Sequence, residues 1–93
     1  DLEKIADEVV FINGGHIVLS GNKDEILEKH GILKCKKDAL AEISESLIVS
    51  SEVSEYGAEV LVNDRHVAEK LYPDMVIERA GLEEIMIYYV NRK

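Results

Sequence analysis

The side chains that carry covalent or metal chemistry are few here: one cysteine, Cys35, and three histidines, His16, His30 and His66. A bound transition metal needs three or four ligands, and its sequence signature spaces them in pairs such as Cys-x-x-Cys or His-x-x-x-His. No such pair occurs. Lys34 and Lys36 flank Cys35 and would lower its pKa if they shared its side, but neighbours on a strand point to opposite faces. The expected state is a buried, unreactive thiol. Carboxylate pairs such as Glu52 with Glu55 and Glu83 with Glu84 fall in stretches expected to face water, so they read as solvated surface rather than as an acid and base pair. Asn13-Gly14-Gly15 lacks the Gly-x-x-x-x-Gly-Lys-Ser/Thr cradle of a phosphate loop and opens no helix, so it reads as a turn. Tyr56, Tyr72, Tyr88 and Tyr89 are too scattered for a base-stacking platform. The sequence assigns no catalytic, cofactor-binding or metal-binding residue.

The elements that position these residues follow from periodicity. Leu2, Ile5, Ala6 and Val9 have the spacing of an amphipathic helix that begins without a capping residue. Val9 to Ile12 and His16 to Leu19 flank Asn13-Gly14-Gly15, where Asn-Gly supplies the positive φ of a tight hairpin. Asn22 and Glu25 have capping-box spacing ahead of Ile26 and Leu27, and Gly31 serves as the left-handed residue that stops that helix. The pattern then changes, which puts a boundary at residue 31 and divides the chain into 1–31 and 32–93. Ile32 to Lys36 reads as a strand, and Asp38 caps a helix carrying Leu40, Ala41 and Ile43. Leu47, Val49, Ser51 and Val53 alternate as a strand, and Glu55-Tyr56-Gly57 turns it into a second one at Ala58, Val60 and Val62. Asn63 or Asp64 caps a helix with Val67, Ala68 and Leu71 on one face, ended by Tyr72-Pro73. Met75 to Arg79 is the last strand, and Leu82, Ile85, Met86 and Tyr89 lie on a closing helix. Ile87, Tyr88 and Val90 widen its apolar surface and predict cover on more than one side. The class is α+β, and the order from residue 32 matches the βαββαβ pattern of a ferredoxin-like domain followed by a C-terminal helix.

Composition narrows the function classes. The 93 residues, 46% hydrophobic with one proline, suffice for one small core and are not those of a disordered chain. Nineteen acidic against eleven basic residues give a net charge of -8, and the densest basic stretch, Lys34 to Lys37, is short. That surface repels a phosphate backbone, so nucleic acid is not an expected partner. A lone cysteine and no secretory leader fit a cytosolic setting. The longest apolar run, Ile85 to Val90, is far shorter than the roughly 20 residues that span a bilayer, so no direct membrane insertion is expected.

The first thirty-one residues resemble the segment after the switch histidine in ATP-binding subunits of ABC transporters. There, a helix with an alanine or cysteine before an aspartate runs into an apolar strand, then Asn-x-Gly-x-Ile, a glycine four residues on, and a short acidic helix. The matching residues are Ala6-Asp7, Val9 to Ile12, Asn13, Gly15, Ile17, Gly21 and Asp24 to Leu27. The remainder resembles the variable C-terminal extension of exporter-type members, where a strand, a turn and a Leu-Glu-acidic-apolar helix match Ile77 to Ile85.

The resemblance implies a chain that is the C-terminal piece of an ATPase, with residues 1–31 finishing the nucleotide-binding domain and 32–93 an accessory module. ATP and magnesium are implied for the parent protein. The phosphate loop, signature motif, acidic magnesium site and switch histidine are expected upstream of Asp1, and none of them transfers to a residue here. Phosphoryl transfer needs cradle, metal and base together, so the isolated piece is not expected to act as an enzyme. The implied partners are a transmembrane permease subunit and a second ATP-binding subunit, with a homodimer also open. The implied location is cytoplasmic, peripheral to the membrane through the permease. The reading from the pattern alone leaves a second expectation open, a free-standing ferredoxin-like regulatory module that takes a small ligand or a second copy.

Overall fold

Two neighbouring strands that are apolar at almost every position organise the chain. The computed structural model describes residues 8–92, and the expected opening helix and its Ala6-Asp7 pair lie outside them. The elements are β1 (Glu8–Asn13), β2 (His16–Asn22), α1 (Lys23–Lys29), β3 (Gly31–Cys35), two 3-10 turns (Lys37–Glu42 and Glu45–Leu47), β4 (Ile48–Ser54), β5 (Gly57–Val62), α2 (Arg65–Leu71), β6 (Val76–Arg79) and α3 (Leu82–Val90). The fold is α+β with antiparallel pairing throughout. β1 and β2 form a two-stranded sheet, and the other strands form a four-stranded sheet in the order β4-β5-β3-β6.

Successive residues of a strand point to opposite faces, so the unbroken apolar run Val60-Leu61-Val62 in β5 and the pair Ile32-Leu33 in β3 require cover on both sides. One face buries Ile32, Val49 and Leu61 with Ile26 of α1 and Ile85 and Tyr88 of α3. Val9 and Leu19 of the hairpin pack against that cluster. The other face buries Leu33, Val60 and Val62 with Ile43, Leu47 and Ala68 of α2. α1, which precedes position 31, thus shares a core with the strands that follow it.

Several local expectations need correction. The segment after β3 forms 3-10 turns in place of an α-helix, without a side-chain cap at its start. The Ser44 amide donates to the Tyr72 hydroxyl at 2.8 Å, and the Ser44 and Ser46 hydroxyls bond each other at 2.9 Å. These bonds compete with helical ones and draw the chain out of the spiral. Gly31 is not a left-handed cap. His30 caps α1 in an extended conformation, and Gly31 is the first residue of β3. Glycine leaves room there for close neighbours, since a Cβ would lie 3.0 Å from Ile77 Cγ2 and 3.1 Å from Arg65 Cδ, and those side chains would have to give way. In the hairpin turn the left-handed residues are Gly14 (φ 60°) and Gly15 (φ 80°), a two-residue turn closed by the Asn13 and His16 pair.

The alternation expected along β4 is broken by a register shift between Ile48 and Ser50, which sends Leu47 and Val49 to opposite faces and leaves Val53 exposed. α2 is capped by Asp64, whose carboxylate accepts from the Val67 amide at 3.2 Å, and it buries Ala68 while Val67 and Leu71 face outward. α3 is covered by β4, by β2 of the hairpin and by α1, and only its outer side is open. Ile85 and Tyr88 are buried, whereas Ile87 and Val90 are about half exposed. No helix among the described residues is long and apolar enough to cross a membrane.

Leu61 is fully buried in the sheet centre, and Ile12 is 61% exposed on the hairpin. Leu61→Ala should lower the unfolding free energy by about 3 kcal/mol through lost transfer energy and a residual cavity. Ile12→Thr should change it by less than about 0.5 kcal/mol. Urea unfolding followed by circular dichroism measures both, and equal effects would contradict this burial.

Candidate functional site

The residues singled out for chemistry end up apart. His16 is exposed at the start of β2, His30 is buried at the end of α1, and His66 lies exposed in the first turn of α2. No cluster of three metal-ligating side chains forms among the described residues. Cys35 is half-buried at the end of β3. Desolvation, and next the charge of Glu42, pushes its thiol pKa up, which keeps it protonated and poorly nucleophilic. Beside it lies an open groove of about 280 Å³, lined in part by Lys34, Glu52, Tyr56 and Glu59. Lys34 is engaged there by Glu78 at 3.1 Å, an exposed pair that raises the ammonium pKa. Glu84 accepts from the Gly81 amide at 3.2 Å, closing the first turn of α3. Glu52 and Glu55 are exposed.

The polar side chains that do converge are on α1. The Glu28 carboxylate receives Arg65 Nη2 at 3.0 Å and His66 Nε2 at 3.0 Å on Oε1, and Arg79 Nη2 at 3.1 Å on Oε2. A carboxylate only accepts, so His66 donates through its Nε2 proton. Arg65 also donates to the Glu28 carbonyl at 3.3 Å and to Glu69 Oε2 at 3.3 Å. One side chain therefore ties α1 to α2 and β6. The Arg65 side chain is only 13% exposed, so its contact is screened less than those of His66 (55%) or Arg79 (65%). A shallow hollow of about 550 Å³ opens beside this cluster, between Asp24, Glu25, Glu28, Lys29 and His66.

A second link runs from the end of α1 to α3. His30 Nδ1 donates to the Ile26 carbonyl at 2.8 Å, which leaves Nε2 to accept the Tyr89 hydroxyl proton at 2.7 Å. The rings meet edge to face with centroids 5.5 Å apart. Desolvation dominates the His30 pKa and lowers it, against a raising effect of the Ile26 carbonyl, with Lys29 adding to the fall. The ring is therefore buried and neutral, and it does not act as a cation on the helix dipole. Tyr88, one position away, turns toward the sheet. Desolvation, followed by the charges of Glu52, Glu59 and Glu84, pushes its phenol up to about 12.

Sequence spacing reveals only the Arg65 and Glu69 pair, four apart on one helix. The partners of Glu28 are 37, 38 and 51 positions away, and the partner of His30 is 59 away, so nothing local announces them. Chemically, these arrangements hold elements together. None pairs a nucleophile with a base.

Arg65→Ala should cost more stability than Arg79→Ala, and Glu28→Ala should cost about 1 kcal/mol at low salt and less at 1 M salt. Urea unfolding at two ionic strengths tests this order; equal losses for the two arginines would refute it. For Tyr88 the folded pKa lies above the ordinary value, so its contribution is complete below pH 10 and is lost as the pH rises toward about 12. Tyr88→Phe should flatten the stability profile over that interval, read by thermal unfolding.

No family model matches this sequence, and neither a curated protein nor a solved structure matches it at a level that shows kinship.

Proposed function

We propose that the chain is the C-terminal part of the ATP-binding subunit of an ABC transporter, in which the hairpin and α1 complete the edge of the nucleotide-binding domain. The observation that carries this reading is the state of the hairpin. Val10, Ile12 and Ile17 are 60%, 61% and 66% exposed, and neither strand has a second neighbour among the described residues. A two-stranded hairpin is marginal alone, and apolar residues on its outward side fit a surface meant to be covered. The residues that carry the resemblance, Val9 to Ile12, Asn13, Gly15, Ile17, Gly21 and Asp24 to Leu27, form a continuous strand, turn, strand and helix.

Residues 32–93 are then an accessory module of the ferredoxin-like type. The support is the strand order β4-β5-β3-β6, with the two central strands each paired on both sides. The first crossover of that arrangement is made by the 3-10 turns in place of a helix. In the parent, ATP and magnesium bind upstream, and the module contacts the permease or the second ATP-binding subunit on the cytoplasmic side of the membrane.

The same strand order favours the second reading, a regulatory module that binds a small ligand or a second copy. Two measurements separate them. The coding sequence upstream of Asp1 should specify a histidine within a few codons and a phosphate loop further back; a gene that starts at this point would overturn the transporter reading. Calorimetry of the chain with magnesium and ATP should show no binding, and micromolar affinity would also overturn it. Light scattering should report an unchanged mass when metabolite mixtures are added; a ligand-dependent dimer would favour the regulatory module.

A further inference from the structure

The His30 and Tyr89 contact is, among the described residues, the only side-chain hydrogen bond that joins the end of α1 to α3. It sits at the margin of the cluster in which Ile26, Ile85 and Tyr88 are buried and against which Val9 and Leu19 of the hairpin pack. In the neutral ring the partners set the proton positions. Nδ1 holds its proton because a carbonyl oxygen faces it, and Nε2 is bare because the Tyr89 O–H points at it. Adding a proton at Nε2 turns both ring nitrogens into donors, so the hydroxyl has to swing its own hydrogen aside and offer its oxygen, and a positive charge is left on a ring shut off from water.

The new cation also lies in a place that offers it little compensation. His30 is 5% exposed. On α1 the nearest charge acting on it is Lys29, of like sign, and Arg92 just past α3 acts on the Tyr89 hydroxyl. α2, which also packs on α1, turns Arg65 and His66 to Glu28. The hairpin brings Val9 and Leu19, which carry no charge.

We propose that the His30 and Tyr89 pair is an acid-sensitive latch, closed when the imidazole is neutral, that holds α1 and the inner side of the hairpin against α3. The sign follows from linkage. A histidine whose folded pKa lies below its unfolded value contributes in full above about pH 6.5, and the contribution falls as the pH drops through the folded value. Local opening of α1 and the hairpin, rather than unfolding of the four-stranded sheet, is the response, because the sheet's other face is closed by separate residues.

The test uses the whole chain. Nuclear magnetic resonance follows the His30 ring proton from pH 7.5 to 5, while amide exchange protection is measured at Leu19, Ile26 and Leu27 and, as a reference, at Leu33 and Leu61. The ring should titrate below the ordinary value. Protection at the first three should fall by about tenfold for each pKa unit of that depression, with the reference amides unchanged. His30→Gln should abolish the acid step. Tyr89→Phe should lower protection of α1 at neutral pH. The proposal is overturned by a ring that titrates at or above the ordinary value, by protection that does not change across its titration, or by an acid step that persists in His30→Gln. Where a variant does not fold, the coincidence of the two wild-type curves decides the matter. None of these outcomes depends on the identity of the parent protein.

Discussion

Burial of β3 and β5 on both faces is the constraint from which the rest of the architecture follows. A strand with one wet face can lie on the outside of a domain, but Leu33, Val60 and Leu61 are fully removed from water on opposing sides of one sheet. A layer is therefore needed above and below. α2 and the 3-10 segment supply one, and α3 with α1 supplies the other. Chains of this size have little apolar surface to spare, which explains why a short helix ahead of the sheet is drawn into its core.

Most elements were legible in the sequence because they rest on local chemistry. Gly14 and Gly15 announce a two-residue turn, Asn22 and Asp64 announce helix starts by accepting from amides three residues on, and Tyr72-Pro73 announces a stop. The failures share a cause. Leu40, Ala41 and Ile43 carry a helical pattern, yet Tyr72, nearly thirty positions on, captures the Ser44 amide and the segment winds more tightly. Gly31 carries the sign of a helix stop, yet its missing side chain makes room for Arg65 and Ile77. In both places a long-range contact overrides a local preference.

The polar contacts were the least legible, for the same reason. Glu28 looks like any surface acid of an amphipathic helix until folding brings Arg65, His66 and Arg79 to it. His30 could be placed at a helix end from its position, but not given its charge state, which depends on the Tyr89 hydroxyl and on how little water reaches the ring. The candidate site is thus a set of fastenings between distant segments. The sequence carried the segments, and the tertiary arrangement gave them partners.

The register shift near Val49 falls on the outermost strand of the four-stranded sheet, and the opposite margin is β6, only four residues long and bearing Glu78 and Arg79. A kinked rim and a short charged rim are both poor templates for another strand. Growth by strand addition is discouraged along the two borders of this sheet, which steers any self-association toward the apolar faces of the hairpin and helices and away from fibre-like stacking.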